Sequence, residues 1–180
     1  LHQVHTVAFY RYLHTHIEAQ STAACAGEMA NILCAEGGRE TYIEDVYHAL
    51  DGLLIMLDEA KRYDLVFALF VAEILRLRGI APEVDACVLS GLKQVAAISV
   101  TEGGFVHAAY VAQSGAVRYD TRHLRQFRLI NKARYTDYEQ IVDLIPSAAW
   151  IIRLLMAFLQ THADLSLRSF RMLDQMLEKE

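Results

Sequence analysis

Two side chains near the middle of the chain, Cys87 and His107, are of the types that support nucleophilic catalysis or metal binding. A thiol is activated as a nucleophile when an adjacent imidazole removes its proton. Such a pair also needs an orienting third group and donors for an oxyanion, and no recognisable motif supplies them. A thiolate and an imidazole are only two of the four ligands that a structural zinc site requires. The residues therefore predict neither catalysis nor a metal centre, and we expect that the protein is not an enzyme.

The known catalytic and phosphate-binding motifs are also missing. The sequence has no G-x-S-x-G, no H-E-x-x-H, no phosphate loop and no G-x-G-x-x-G. Its three cysteines, Cys25, Cys34 and Cys87, are too few and too scattered for a disulfide framework, which is typical of buried thiols in a reducing cytoplasm.

A basic segment is the strongest binding signal. Residues 118–134 contain six basic side chains and one acid, whereas residues 1–64 contain four basic and ten acidic ones. The basic residues are Arg118, Arg122, Arg125, Arg128, Lys132 and Arg134. On a helix, Arg118, Arg122, Arg125 and Lys132 would fall on one stripe that could bind phosphates or an acidic peptide. The alternative is a solvated face whose charges pair with acids of the same chain, and the residues alone favour that alternative.

Hydrophobic spacing predicts mostly helices in the first half of the chain. Residues 1–36 are predicted to be helical in two pieces, with a break at residues 20–22 and an end at residues 37–38. Thr41 and Glu44 fit a capping box at the start of an amphipathic helix that runs to about Arg62. Residues 64–78 are apolar on nearly every side, which predicts the central helix of the domain.

The pattern changes after Gly79, where glycines and β-prone runs predict a small hairpin that turns at residues 101–104. Helices are expected again near Thr121, Asp137 and Ser147, and the last from about Ser166. The fold class that follows is mainly α: a single helical-bundle domain with a small β-hairpin insertion.

Bulk composition agrees with a folded domain of this kind. At 180 residues, 54% apolar and 22% charged, the chain can bury one core and is not disordered. Its net charge of −5 means that any nucleic-acid binding must use a local patch. The apolar run of residues 144–163 contains Arg153 near its middle, which favours a core helix over a membrane span. Since Leu1 is not a methionine and no leader pattern follows, we expect a piece of a longer protein.

The stretch LRLRGIAPEVDACVLSGLKQVAAISVTEGGFVH, residues 75–107, resembles the middle of the RecO family of bacterial DNA-repair proteins. In that family a helix is followed by G-[YI]-x-P-x-[LV]-x-x-C-x-x-C-G, a strand, a GG turn and C-x-x-C. Residues 23–33 are similar to a family helix, with Glu28 at its acidic position, and residues 167–170 resemble the motif L-K-S-R-x-[FL].

The resemblance places the four zinc thiolates of the family at Cys87, Ser90, His107 and Tyr110. Serine is a poor zinc ligand and tyrosine an unusual one. A degenerate zinc-ribbon-like insertion without metal is therefore expected, and no cofactor.

The resemblance further implies a domain organisation and a role. Residues 1–22 would connect to an upstream OB-fold, and residues 23–180 would form the C-terminal helical domain, with residues 79–117 as the insertion. Such a domain would serve DNA repair and homologous recombination in the cytoplasm, at the nucleoid, without catalysis. Its partners would be single- and double-stranded DNA, the acidic, Phe-ending tail of single-strand-binding protein, and RecR, with loading of RecA and strand annealing as the outcome.

Charge and spacing, not the family motif, select the residues expected to contact DNA or the acidic tail. They are Arg118, Arg122, Arg125, Arg128, Lys132, Arg134, Arg168 and Arg171. Two other readings make different predictions. A helical regulatory domain, such as the effector-sensing half of a transcription factor, predicts an enclosed apolar pocket, and a hydrolase predicts Cys87 and His107 within hydrogen-bonding reach.

Overall fold

The computed structural model describes residues 10–37 and 39–178. Three long helices form the body: α1 (Ile17–Ala35), α2 (Glu40–Asp58) and α3 (Tyr63–Leu77). Eleven of the 15 residues of α3 are buried, and this helix packs against α1 and α2 on one side. The sequence prediction of a central helix at residues 64–78 is therefore confirmed.

Five further helices complete the described part of the chain. They are α4 (Val111–Ser114), α5 (Thr121–Lys132), α6 (Tyr138–Ile141), α7 (Ala149–Ala163) and α8 (Phe170–Leu177). α5 and α7 pack against α3, and α8 packs against α1 and α7. Three short 3-10 helices cover residues 108–110, 135–137 and 142–144. The mainly helical class is thus confirmed. In the described ranges, no helix has both the length and the apolar character needed to cross a membrane.

The predicted hairpin is present and belongs to a three-stranded antiparallel sheet. β1 (Ala97–Ser99) lies between β2 (Gly104–Val106) and β3 (Val117–Arg118), with Ile98 opposite both Phe105 and Val117. The short third strand was not expected. Because Arg118 lies on it, the prediction that this arginine shares a helical stripe with the other basic residues is wrong.

Gly104 is required where the backbone of residue 83 runs alongside the hairpin in a parallel bridge. Glu83 donates its amide to the Gly103 carbonyl at 2.9 Å and accepts the Phe105 amide at 2.8 Å. A Cβ at position 104 would lie 2.3 Å from the Glu83 carbonyl oxygen, and the φ of +157° is one that side chains disfavour. The segment after α3 is thereby fixed to the sheet, which places the insertion beside α5.

Three predictions near the N-terminus are wrong. α1 runs without a break through residues 20–22, because the Thr22 hydroxyl donates to the Glu18 carbonyl at 2.8 Å and so is satisfied inside the helix. α2 begins at Glu40 with Arg39 as its N-cap and has no side-chain cap, so Thr41 lies inside the first turn and forms no capping box. The first predicted helical piece is also wrong over residues 10–16, which form a turn before α1 begins at Ile17. The rest of that piece lies outside the described residues, as does position 38.

The later helix starts are closer to prediction. α5 begins at Thr121, and Asp120 caps it by accepting the His123 amide at 2.8 Å. The helix expected near Asp137 is only the short α6, and the one expected near Ser147 is α7, which begins at Ala149. The apolar run at residues 144–163 therefore forms a core helix, as expected.

Candidate nucleic-acid interface

α5 presents basic side chains to solvent because its apolar residues face the core. Leu124, Phe127 and Ile130 are buried. The side chains on its opposite face, Arg122, Arg125, Arg128 and Lys132, are exposed. This spacing of three to four residues gives a helix with one apolar and one cationic face. We call the exposed side of α5, with Arg118 on the adjacent strand, the α5 basic face.

The C-terminal half of this face is paired with an acid of the insertion. Asp85 accepts Arg128 Nη2 at 2.7 Å through one carboxylate oxygen and Lys132 Nζ at 2.6 Å through the other. Lys132, and then Arg128, holds the pKa of Asp85 below its usual value. Two cations share a single carboxylate, so this half of the face keeps only one net positive charge.

Arg134 is also engaged within the protein. It pairs with Glu73 of α3, which at the same time accepts Arg76 Nη2 at 2.5 Å. Burial by itself would raise the pKa of Glu73, but the hydrogen bonds from Arg76 and Arg134 prevail and lower it. Arg134 therefore fastens the segment after α5 to α3, and we regard it as a structural residue first.

The N-terminal half of the α5 basic face differs from the rest. Arg122 and Arg125 are exposed, and neither forms an ion pair with any residue in the described ranges. Arg118 is exposed too, and its guanidinium donates to the Ala108 carbonyl at 3.4 Å, a long and weak bond. These three arginines are the cations of the face that remain available to an anionic ligand.

Arg168 and Arg171 occupy another part of the surface. The start of α7 lies beside α5, where the rings of Trp150 and His123 are 5.1 Å apart. Arg168 follows the far end of α7, and a helix of 15 residues is roughly 22 Å long. The amide of Arg168 donates to Glu28 at 3.0 Å, which anchors the turn before α8 to α1. The structure therefore does not join this pair to the basic residues of α5.

A groove runs between the insertion and α5. It has a volume of about 390 Å³ and an apolar floor that includes Val84, Val95, Phe105 and Leu124. Lys93, Arg125 and Arg128 line its rim together with Asp85. An apolar floor with a mostly cationic rim suits an acidic peptide that carries one large apolar side chain.

The four positions that hold zinc in the family pattern form a hydrogen-bonded knuckle. Burial raises the pKa of the Cys87 thiol, but hydrogen bonds from the Ser90 hydroxyl and from the amides of His107, Leu89 and Ser90 prevail and lower it. The His107 ring accepts the Ala109 amide through Nδ1 at 3.2 Å, so that nitrogen caps a turn. In the described part of the chain, no group of three or more His, Cys, Asp or Glu side chains could hold a metal ion. Ser90 and Tyr110 do not fit zinc.

The same knuckle gives no support to a cysteine hydrolase. His107 donates its backbone amide to the thiol, and its ring nitrogen Nδ1 accepts the Ala109 amide. Activation of a thiol requires the ring itself as the base. We therefore attribute the arrangement to local folding of the insertion.

Trp150 lies in the apolar run that predicts a core helix, but its side chain is only partly buried. It packs beside the half-buried rings of Tyr119 and His123, next to Arg122. The sequence pattern that could have indicated this ring cluster is the spacing of Tyr119, His123 and Phe127, which places an aromatic ring at every fourth residue of the basic segment.

Comparison with known families gives a match that covers most of the chain. The family described as recombination protein O C terminal matches residues 14–171. Searches of curated proteins and of solved structures gave no significant match. The chain belongs to the RecO C-terminal domain family, whose role is in DNA recombination and repair.

Proposed function

We propose that this chain is the C-terminal helical domain of a recombination mediator of the RecF pathway, which acts by binding and not by catalysis. In this proposal residues 1–22 connect to an upstream OB-fold, residues 79–117 are the ribbon-like insertion, and the protein works in the cytoplasm at the nucleoid. Family membership supports the general role in recombination and repair. The family match gives no support to an effector-sensing regulatory domain.

The observation that carries the proposal is that the arginines at the start of α5 form no ion pair with an acidic side chain of the described residues. Arg122 and Arg125 are exposed and unpaired within the described residues, although the chain as a whole is acidic. Solvated arginines held on one helix face can contact successive phosphates and release counterions. Single- and double-stranded DNA are therefore the proposed ligands of the N-terminal half of the α5 basic face.

The groove between the insertion and α5 is the proposed site for the tail of single-strand-binding protein. Its floor, which includes Phe105 and Leu124, would receive the terminal phenylalanine, and Lys93 and Arg125 would receive the carboxylates. Because Arg125 borders both this groove and the proposed DNA site, the two ligands would compete for it. Binding to RecR, loading of RecA and strand annealing are proposed from family membership alone.

The test compares two double variants that remove the same charge. Arg122→Gln with Arg125→Gln changes the α5 basic face, and Arg168→Gln with Arg171→Gln changes the start of α8. Binding of a labelled single-stranded oligonucleotide is titrated over a range of salt concentrations. The logarithm of the binding constant falls as the logarithm of the salt concentration rises, and each phosphate contact on a single strand adds about 0.7 to the steepness of that fall. If each α5 arginine meets one phosphate, the α5 variant should make the slope shallower by about 1.4.

The same titration is repeated with a labelled acidic peptide that ends in phenylalanine. We expect salt-sensitive binding that the α5 variant weakens more than the α8 variant does. A larger effect of the α8 variant would overturn the assignment to α5. If neither DNA nor the peptide binds to the unaltered chain at low salt, the proposed function itself is refuted.

A further inference from the structure

Three partly exposed rings lie together beside the unpaired arginines. The centroid of Trp150 is 5.5 Å from that of Tyr119, with 30° between the planes, and 5.1 Å from that of His123, in an edge-on arrangement. All three side chains are of intermediate burial. Tyr and Trp rings with one apolar and one solvated side are enriched at contact surfaces, so this cluster is a candidate for one.

A small cleft opens along this cluster. Its volume is about 230 Å³, and it is lined by Arg122, His123, Gln126, Pro146, Ser147 and Trp150. Sites for drug-sized ligands measure about 300–1,000 Å³, so this cleft has room for a single flat ring but not for a complete drug-sized molecule. Trp150 of α7 and Arg122 of α5 both line this cleft.

The cluster is held in place from behind. The Trp150 ring also lies 6.4 Å from that of Phe127, which is fully buried. The residue just before α7, Ala148, donates its amide to the buried carboxylate of Asp64 at 2.8 Å. A ring fixed in this way loses little conformational freedom on binding, which favours stacking.

The acid nearest the cluster is already engaged. Asp120 accepts both the amide and the ring nitrogen of His123, and these bonds, the amide first, lower the pKa of Asp120. Arg118 and Arg122, which lie two residues before and two residues after Asp120, supply positive charge on either side of it in the sequence. Fixed aromatic rings beside unpaired arginines are the two components of sequence-tolerant single-strand binding.

We propose that Trp150, Tyr119 and His123 form a stacking platform for the unpaired bases of single-stranded DNA, with Arg122 on a neighbouring phosphate. The inference rests on the proposed DNA binding and adds to it a mode of recognition. Base faces are accessible in a single strand and hidden in a duplex, so the platform would favour single strands over duplexes of the same sequence.

Trp150 is the only tryptophan of the chain, so its fluorescence reports directly on the platform. The unaltered protein is titrated with an oligothymidine and, separately, with an abasic strand of the same length, which has the phosphates but no bases. We expect the oligothymidine to quench Trp150 emission and to bind more tightly. The abasic strand should bind by charge alone and leave the emission unchanged.

Two variants separate stacking from folding. Trp150→Leu keeps an apolar side chain but removes the ring, and it should weaken single-strand binding by about 5- to 150-fold while the salt slope stays unchanged. Trp150→Phe keeps a ring and should bind within a few-fold of the unaltered protein. Circular dichroism tests whether both variants are folded. If Trp150→Leu does not fold, Tyr119→Leu removes another ring of the cluster in its place.

Several outcomes overturn the platform. One is binding of the oligothymidine without quenching, with equal affinity for the abasic strand, which would leave DNA binding by charge in place. Another is quenching by the acidic peptide but not by DNA, which would make the cluster a protein-docking surface. If neither strand binds at all, both the platform and the proposed DNA binding are refuted.

Discussion

Asp64 is the acidic residue whose removal we expect to cost this protein most stability. Its side chain is buried, and its two oxygens accept Arg62 Nε at 3.1 Å and Nη2 at 2.6 Å. One of these oxygens also accepts the Ala148 amide at 2.8 Å, just before α7. Arg62 in turn donates to the Ile145 carbonyl at 2.6 Å. The pair therefore ties the start of the central helix to the turn that presents Trp150.

The loss in free energy of unfolding on Asp64→Ala depends on which hydrogen bonds of Arg62 remain in the variant. Breaking a buried ion pair by removing one partner costs about 3–5 kcal/mol, since the other charge loses its compensation. The Arg62 side chain is 34% exposed and keeps the Ile145 carbonyl, which puts the cost at the lower end. Asp64→Ala should lower the free energy of unfolding by about 3 kcal/mol. For a chain of this size that corresponds to a fall in Tm of about 6–12 °C.

Thermal and urea unfolding of three variants test this reasoning. Asp64→Asn should cost less than Asp64→Ala, because the amide oxygen still accepts the Ala148 amide. Asp143→Ala, which removes an exposed aspartate, serves as the matched control and should change little. If Asp64→Ala shifts Tm no more than Asp143→Ala does, the buried pair does not have the structural role given to it here.

Three further predictions concern charge, pH and metal. Asp85→Asn releases Arg128 and Lys132, so single-stranded DNA should bind more tightly and with a steeper salt slope, whereas Asp143→Asn should leave the slope unchanged. The hydrogen bond from Ser169 lowers the pKa of Glu28 in the folded protein. The stability that the Glu28 carboxylate contributes is therefore present above its pKa in the unfolded chain and is lost as the pH falls through its pKa in the folded protein. In urea titrations at several pH values, Glu28→Gln should lose less stability on acidification than the unaltered protein does. Elemental analysis of the purified protein should find well under one zinc ion per chain. One zinc ion per chain would contradict the conclusion that Ser90 and Tyr110 do not serve as zinc ligands.

Sequence patterns predicted the parts of the fold that depend on hydrophobic periodicity. The central helix was predictable because residues 64–78 have almost no polar side, and the hairpin because two β-prone runs flank Gly103 and Gly104. The predicted break at residues 20–22 failed because Thr22 satisfies its hydroxyl within α1. Propensity identifies residues that compete with a helix, but not whether the competing bond is made inside it.

The composition of the candidate site was less predictable, since it depends on contacts between distant residues. Arg128 and Lys132 meet an acid 43 and 47 positions away in the sequence, whereas Arg122 and Arg125 meet none in the described ranges. No local pattern distinguishes these two pairs, because all four side chains lie on one helix face at intervals of three or four residues. The exposure of Trp150 was unpredictable for the same reason, since it depends on how α5 and α7 approach each other.

The close approach at Gly104 has an electrostatic consequence. Glu83 is paired with the hairpin there, and Asp85 lies two residues further along the chain, so this backbone bridge helps to fix where that carboxylate stands relative to α5. Any substitution that forces this bridge apart, such as Gly104→Val, would move a negative charge away from Arg128 and Lys132 without altering either cation. The local charge of the helix thus depends on a steric requirement at a position that has no side chain.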